Sequence, residues 1–212
     1  MHFQNRTAAG EKLARELKAL LLQGPFVLAI PRGGVPVGAA VARALGCPFD
    51  VIPLIKIPIP WSPEAGYGVV VMDGTITLNQ SLVNRLELSD RELEMAESMA
   101  AQEVKRREQT YRQGRPFPEL EGKSVIITDD GLASGYSMLA ATAFVKKRNP
   151  RVLIVAVPVA SEMAHKLVAA EPGINKLVAL ATDAEQLFSL ASYYREFPAL
   201  TDDDVLRELA QR

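Results

Sequence analysis

Apolar residues recur at helical spacing over residues 8–22, with Leu13, Leu17, Leu20 and Leu21 on one face and Gly24 beyond them as a stop. The pattern then contracts. Phe26 to Ile30 is a short apolar run ending in Pro31-Arg32-Gly33-Gly34, and Val35 to Leu45 is helical in composition before Gly46, so the unit reads strand, loop, helix. Asp50 to Ile57 predicts a second strand, although Pro53, Pro58 and Pro60 remove ladder donors and make its end an irregular edge. Gly66 to Met72 and Thr75 to Leu78 flank Asp73-Gly74, a two-residue hairpin signal, which predicts a β-ribbon apart from the other strands and a flap over about residues 57–80. Ser89-Asp90-Arg91-Glu92 has capping-box spacing and opens a long helix over about residues 90–113. Its apolar face carries Leu93, Ala96, Ala100 and Val104, and its charges read as a solvated face. Val125 to Thr128, Val152 to Val157 and Lys176 to Ala181 read as buried strands, separated by helices over about residues 134–148 and 161–170.

This alternation predicts an α/β fold: a mostly parallel twisted sheet flanked by helices, with an inserted β-hairpin flap, all in a single domain over residues 1–212. Hydrophobic residues at 48% and charged residues at 23% fit a globular chain with a real core. A formal charge of -1 supplies no broad basic field, which argues against nucleic acid and directs any phosphate recognition to a local site. Cys47 is the only cysteine, so an internal disulfide and a cysteine-based zinc site are excluded. No secretory or bilayer-spanning segment is apparent, and the expected location is the cytoplasm, away from membranes.

In a parallel sheet, ligands sit at the carboxyl ends of strands, which singles out the loops after Ile30 and Thr128. Asp129-Asp130-Gly131-Leu132-Ala133-Ser134-Gly135-Tyr136-Ser137 follows the strand of residues 125–128. The amides of Ala133 to Ser137, with the hydroxyls of Ser134 and Ser137, suit a phosphate monoester, since small residues let the backbone approach the anion. Asp129 and Asp130 suit sugar hydroxyls or a magnesium ion beside it. The plainer reading is a turn with Ser134 as helix cap. Arg32, Gly33 and Gly34 offer amides and a guanidinium for a diphosphate, or simply a tight strand-to-helix turn. Lys56 is either a further contact for that diphosphate or a solvated edge lysine.

The Val125–Ser137 string resembles the phosphoribosyl-pyrophosphate signature of type I phosphoribosyltransferases, with Thr128 and Gly131 standing where apolar residues are usual. Pro31 to Val37, Asp129 to Gly135, Ala156 to Ala160 and Tyr194-Arg195-Glu196-Phe197-Pro198 extend the likeness to a narrower group of phosphoribosyltransferases with no settled acceptor. In that group an arginine often precedes the lysine, where this chain has Ile55. The resemblance implies the type I fold and binding of 5-phosphoribosyl-1-pyrophosphate with Mg2+. It implies that Asp129 and Asp130 face the ribose hydroxyls, directly or through ligand and water at the metal, and that Ala133, Ser134, Gly135, Tyr136 and Ser137 hold the 5-phosphate. Arg32, Gly33 and Gly34 would take the pyrophosphate, in a loop where related enzymes admit a cis peptide. Catalysis would fall to Asp129, Asp130 and Arg32, with phosphoribose passing to a nitrogenous base or amine, and the protein would be a homodimer. Ala133 replaces the aspartate with which 6-oxopurine enzymes meet their base, which argues against hypoxanthine and guanine.

Trp61-Ser62-Pro63-Glu64 and the ribbon containing Tyr67 are candidates to close over the ligand, with Trp61 equally suited to a packed anchor or an oligomer contact. Val157-Pro158-Val159 and Tyr194 are either cavity lining or core. His2 and His165 have no catalytic partner in the pattern. The other reading is a regulatory sensor that binds phosphoribosyl pyrophosphate or a nucleotide without turnover. Neither G-x-G-x-x-G nor G-x-x-x-x-G-K-[ST] occurs, which sets aside dinucleotide and ordinary triphosphatase folds.

Overall fold

The computed structural model describes residues 2–185 and 188–211, without the side chains of residues 63–65. Asn5 caps the first helix, α1 (Arg6–Lys18), by accepting from the Ala8 amide. The helix stops before Leu20 and Leu21, earlier than the apolar spacing predicts, and Leu21 adopts positive φ with its side chain exposed. β1 (Pro25–Ala29) leads into α2 (Gly34–Leu45), closed by left-handed Gly46.

The second expected strand is two strands in different sheets. β2 (Phe49–Val51) pairs parallel with β1, and β3 (Leu54–Ile59) belongs to an antiparallel sheet with β4 (Ser62–Val71) and β5 (Ile76–Leu78). The Ile52 amide makes the last bond to Ala29 at 2.9 Å, and Pro53 then has no N–H to continue the ladder. The expected hairpin flap is accordingly a three-stranded sheet. α3 (Gln80–Leu86) and α4 (Asp90–Arg112) follow, the latter opened by the Ser89–Glu92 capping box. Ala100 and Val104 of α4 pack with Ile57, Tyr67 and Val70 into a core separate from that of the main sheet.

β6 (Ser124–Thr128), α5 (Tyr136–Lys146), β7 (Val152–Ser161), α6 (Glu162–Ala169) and β8 (Lys176–Asp183) complete the parallel half, and α7 (Asp202–Leu209) ends the chain. The five-stranded sheet has the order β2-β1-β6-β7-β8, every pair parallel. Its faces are covered by two apolar clusters, with α1, α2 and α7 on one side and α5 and α6 on the other. The chain leaves β1 toward β2 and returns on the opposite side at β6, so the connections diverge between β1 and β6 and open a crevice at their carboxyl ends.

Candidate active site

At that divergence the backbones nearly touch. A Cβ placed on Gly33 would lie 2.2 Å from Asp130 Oδ2, and one on Gly34 would lie 2.8 Å from both Asp129 Cα and the Thr128 carbonyl oxygen. The glycine pair therefore lets the loop after β1 lie against the acidic turn, and the Pro31–Arg32 peptide within it is cis. Above them opens a cavity of about 620 Å3, bordered by Arg32, Gly33, Lys56, Asp129, Asp130, Ala133, Ser134, Gly135 and Ser137. Gly34 lies beneath rather than on the wall, and the Tyr136 ring packs against the main apolar core.

Ser134 does not cap α5. Gly135, at φ 85°, holds the N-cap without a side-chain bond, so the first amides of the helix point outward past the small residues 133–135. The turn is anchored from behind: the Leu132 amide donates to the Val159 carbonyl, the Ser161 amide to the Leu132 carbonyl, and the Ser161 hydroxyl to the Ala133 carbonyl. Gly131 takes the place of a branched residue because a Cβ there would meet Leu190 at 2.2 Å and Val159 at 3.0 Å. Thr128 is fully buried, its hydroxyl 3.5 Å from the Leu28 carbonyl and close against Gly38.

The two acids differ. Asp129 Oδ1 accepts from the Asp130 amide at 2.8 Å, and burial together with the neighbouring Asp130 charge pushes its pKa well above the ordinary carboxylate range, against the opposing pull of Lys56. Asp130 is buried and paired: Arg6 Nε donates to its Oδ2 at 2.8 Å. The guanidinium of Arg6 also donates to the Pro198 carbonyl at 2.9 Å and lies 3.6 Å over the Phe197 ring. Tyr194 stacks on Phe197, with centroids 4.9 Å apart, and its hydroxyl donates to the Asp130 carbonyl at 2.6 Å. The chain ends meet here, as Phe3 and Tyr194 form a parallel bridge. Tyr194-Arg195-Glu196-Phe197-Pro198 thus closes the site by fastening the C-terminal segment to the acidic turn.

Sequence patterns missed Arg6 and Arg107, which border the cavity with the apolar Leu190, Phe197, Ala199 and Leu200. Arg6 lies in a polar N-terminal stretch with no motif, whereas Arg107 shares the helical stripe of Ala100, Val104 and Tyr111, a signal the solvated-face reading overlooked. Of the expected closing segments, Trp61 is exposed outside the cavity wall and Tyr67 is buried in the small-sheet core, while the side chains of Pro63 and Glu64 lie outside those described. Val157 and Val159 are core residues, and Tyr194 is buried against Phe197 and does not border the cavity.

Among the described residues no group of His, Cys, Asp and Glu forms a metal cage. Each acid has one oxygen engaged, Asp129 by the Asp130 amide and Asp130 by the Arg6 guanidinium, and only Asp130 is paired with a cation. That donor set fits Mg2+ carried largely by ligand phosphates, a habit of this ion, and does not fit a resident metal held by protein alone. Among the described residues no helix is long and apolar enough to cross a membrane.

The family model for the phosphoribosyl transferase domain matches residues 69–172, a range that includes the acidic turn. TT1426 from Thermus thermophilus, a crystal structure, is 36% identical and superimposes with a TM-score of 0.80 over 100% of this chain and 99% of that one. Two Mycobacterium tuberculosis proteins, each named "Putative phosphoribosyl transferase", are 34% identical over 205 residues. The match covers 96% of this chain and 45% of theirs, so the chain spans under half the length of these curated relatives. A purine phosphoribosyltransferase from Pyrococcus horikoshii shares the fold at 15% identity, with a TM-score of 0.50 over 95% of this chain and 96% of that one. With the parallel sheet, the separate antiparallel sheet and the acidic turn at its divergence point, these matches establish that the chain belongs to the phosphoribosyltransferase family and has the type I fold.

Proposed function

We propose that the cavity binds 5-phosphoribosyl-1-pyrophosphate with Mg2+ and that the protein transfers the phosphoribosyl group to a nitrogenous base or amine. The observation that carries this reading is the convergence of the Arg32–Gly34 and Asp129–Ser137 loops on one cavity. The open amides of Gly135 to Ser137 would take the 5-phosphate, and the Asp129 and Asp130 carboxylates would accept from the ribose hydroxyls. Arg32, the amides of Gly33 and Gly34, and Lys56 would bind the diphosphate. Mg2+, held by the ligand phosphates and Asp129, would supply charge neutralisation on the leaving group.

In the reaction, the bond from ribose C1 to the pyrophosphate oxygen breaks as the acceptor nitrogen forms its bond to C1. The leaving group carries away the electron pair, and the nitrogen sheds its proton. Arg32 and Lys56 would stabilise the charge gathering on pyrophosphate, while Asp129 would favour the positive charge developing on the ring. The family resemblance also supports a homodimer, which light scattering reads directly.

One observation favours the alternative of a sensor that binds without turnover. Phe197 is the only aromatic side chain on the cavity wall among the described residues, and its ring is already engaged by the Arg6 guanidinium and by Tyr194. Calorimetric titration with phosphoribosyl pyrophosphate and Mg2+, followed by a pyrophosphate-release assay with a panel of bases and amines, separates the readings. Saturable binding with acceptor-dependent release is expected for the enzyme. Binding without release from any acceptor would favour the sensor, and no binding by the folded protein would refute both.

A further inference from the structure

Helix α4 brings a guanidinium to the cavity from outside the two ligand loops. Arg107 is one turn before Tyr111 on the same helical face. The Tyr111 hydroxyl donates to Asp202 Oδ1 at 2.6 Å, and that same oxygen lies 3.9 Å from Arg32 Nη1. Arg32 and Arg107 thus both lie near the Tyr111–Asp202 pair, and both border the cavity.

The local charge balance leaves Arg107 with capacity to spare. Arg106 engages both oxygens of Glu103, at 2.7 and 2.8 Å, and also Asp202 at 3.0 Å. Arg107 shares that glutamate through Nε alone, at 3.0 Å, and no hydrogen bond occupies its terminal nitrogens among the described residues. Its side chain is only 17% exposed, so the free end of the guanidinium is held toward the cavity instead of extended into solvent. Three guanidiniums, of Arg32, Arg106 and Arg107, thus meet two carboxylates, of Glu103 and Asp202, and the surplus positive charge sits where the diphosphate loop opens.

We infer that Arg107 is a substrate-binding residue for the diphosphate group, pairing its unoccupied terminal nitrogens with phosphate oxygens alongside Arg32. This rests on the proposed phosphoribosyl-pyrophosphate site and adds to it a contact from the inserted helix. A planar guanidinium held by Nε presents its remaining donors as a fork suited to phosphate. Ribose 5-phosphate, which has no diphosphate, would not reach it.

The test is calorimetry on the full chain with three probes: phosphoribosyl pyrophosphate and inorganic pyrophosphate, each with Mg2+, and ribose 5-phosphate. Wild type is compared with Arg107→Ala and Arg107→Gln, the latter retaining a donor toward Glu103 should the alanine variant fold poorly. Both diphosphate ligands are expected to weaken by about 10- to 100-fold, the range for a lost hydrogen-bonded charge, with ribose 5-phosphate affinity and the melting temperature of Arg107→Gln unchanged. Equal affinity of wild type and both variants for pyrophosphate would overturn the assignment while leaving the phosphoribosyl-pyrophosphate site intact, as would an equal loss for ribose 5-phosphate. Failure of wild type to bind any of the three would overturn both.

Discussion

Arg6 and Asp130 form one of the two most buried ion pairs among the described residues, and its loss should be felt strongly. Their side chains are 9% and 10% exposed, so Arg6→Met leaves a carboxylate in a place with little water to solvate it. Removing one partner of such a pair costs about 3–5 kcal/mol. Arg6 also donates to the Pro198 carbonyl and lies over Phe197, contacts of about 1 kcal/mol each, although these overlap with the pair and do not simply add. About 4 kcal/mol is a fair central expectation. Domains have only about 5–15 kcal/mol in total, and at this size each kcal/mol moves Tm by about 2–4 °C, so a fall of roughly 8–16 °C should follow.

The informative variant is the double one. If the cost of Arg6→Met arises from an uncompensated charge, Asp130→Asn in the same protein should return roughly 2 kcal/mol or more, making the double variant more stable than the single. Urea denaturation followed by circular dichroism gives all four corners of the cycle. A loss below about 1 kcal/mol for Arg6→Met, or additivity within about 0.5 kcal/mol, would show that the pair does not hold the C-terminal segment to the acidic turn.

Asp129→Asn should fold with a Tm no lower than wild type, since the fold disfavours the Asp129 charge, yet bind phosphoribosyl pyrophosphate with Mg2+ about tenfold or more weakly by calorimetry; full affinity would remove Asp129 from the site. Gly34→Ala should lose about 1–3 kcal/mol in urea denaturation, because its Cβ would meet the backbone of Thr128 and Asp129 rather than a side chain that can swing away. Burial pushes the Cys47 thiol up to about 11, which leaves about one part in a thousand ionised near pH 8; iodoacetamide labelling followed by mass spectrometry should be slow in the folded protein and rapid in urea.

Those expectations rest on features the sequence shows unequally. The inner parallel strands β1, β6 and β7 are legible because burial on both faces turns them into largely uninterrupted apolar runs, as in Val125 to Ile127, where no alternation could mislead. The ligand loops are legible for a related reason: a backbone that must lie against another backbone can carry no side chain, so Gly33 and Gly34 mark the approach before any partner is known. The division between β2 and β3 is harder, since Pro53 signals only that a donor is missing, and which sheet receives Leu54 to Ile59 depends on the distant Val71 and Val70. Arg6 is harder still. Its neighbours Asp130, Phe197 and Pro198 are far along the chain, and nothing in a polar N-terminal stretch encodes that meeting. Arg107 lies between these cases. A charged residue on the stripe of Ala100, Val104 and Tyr111 must either break the packing or have anions to face; Glu103 engages Arg107 through Nε alone, and the cavity beside Arg32 is where its remaining donors lie. A charge at an apolar position in an otherwise regular helix is therefore a better pointer to a ligand than a charge among charges, because only the first is costly without a partner.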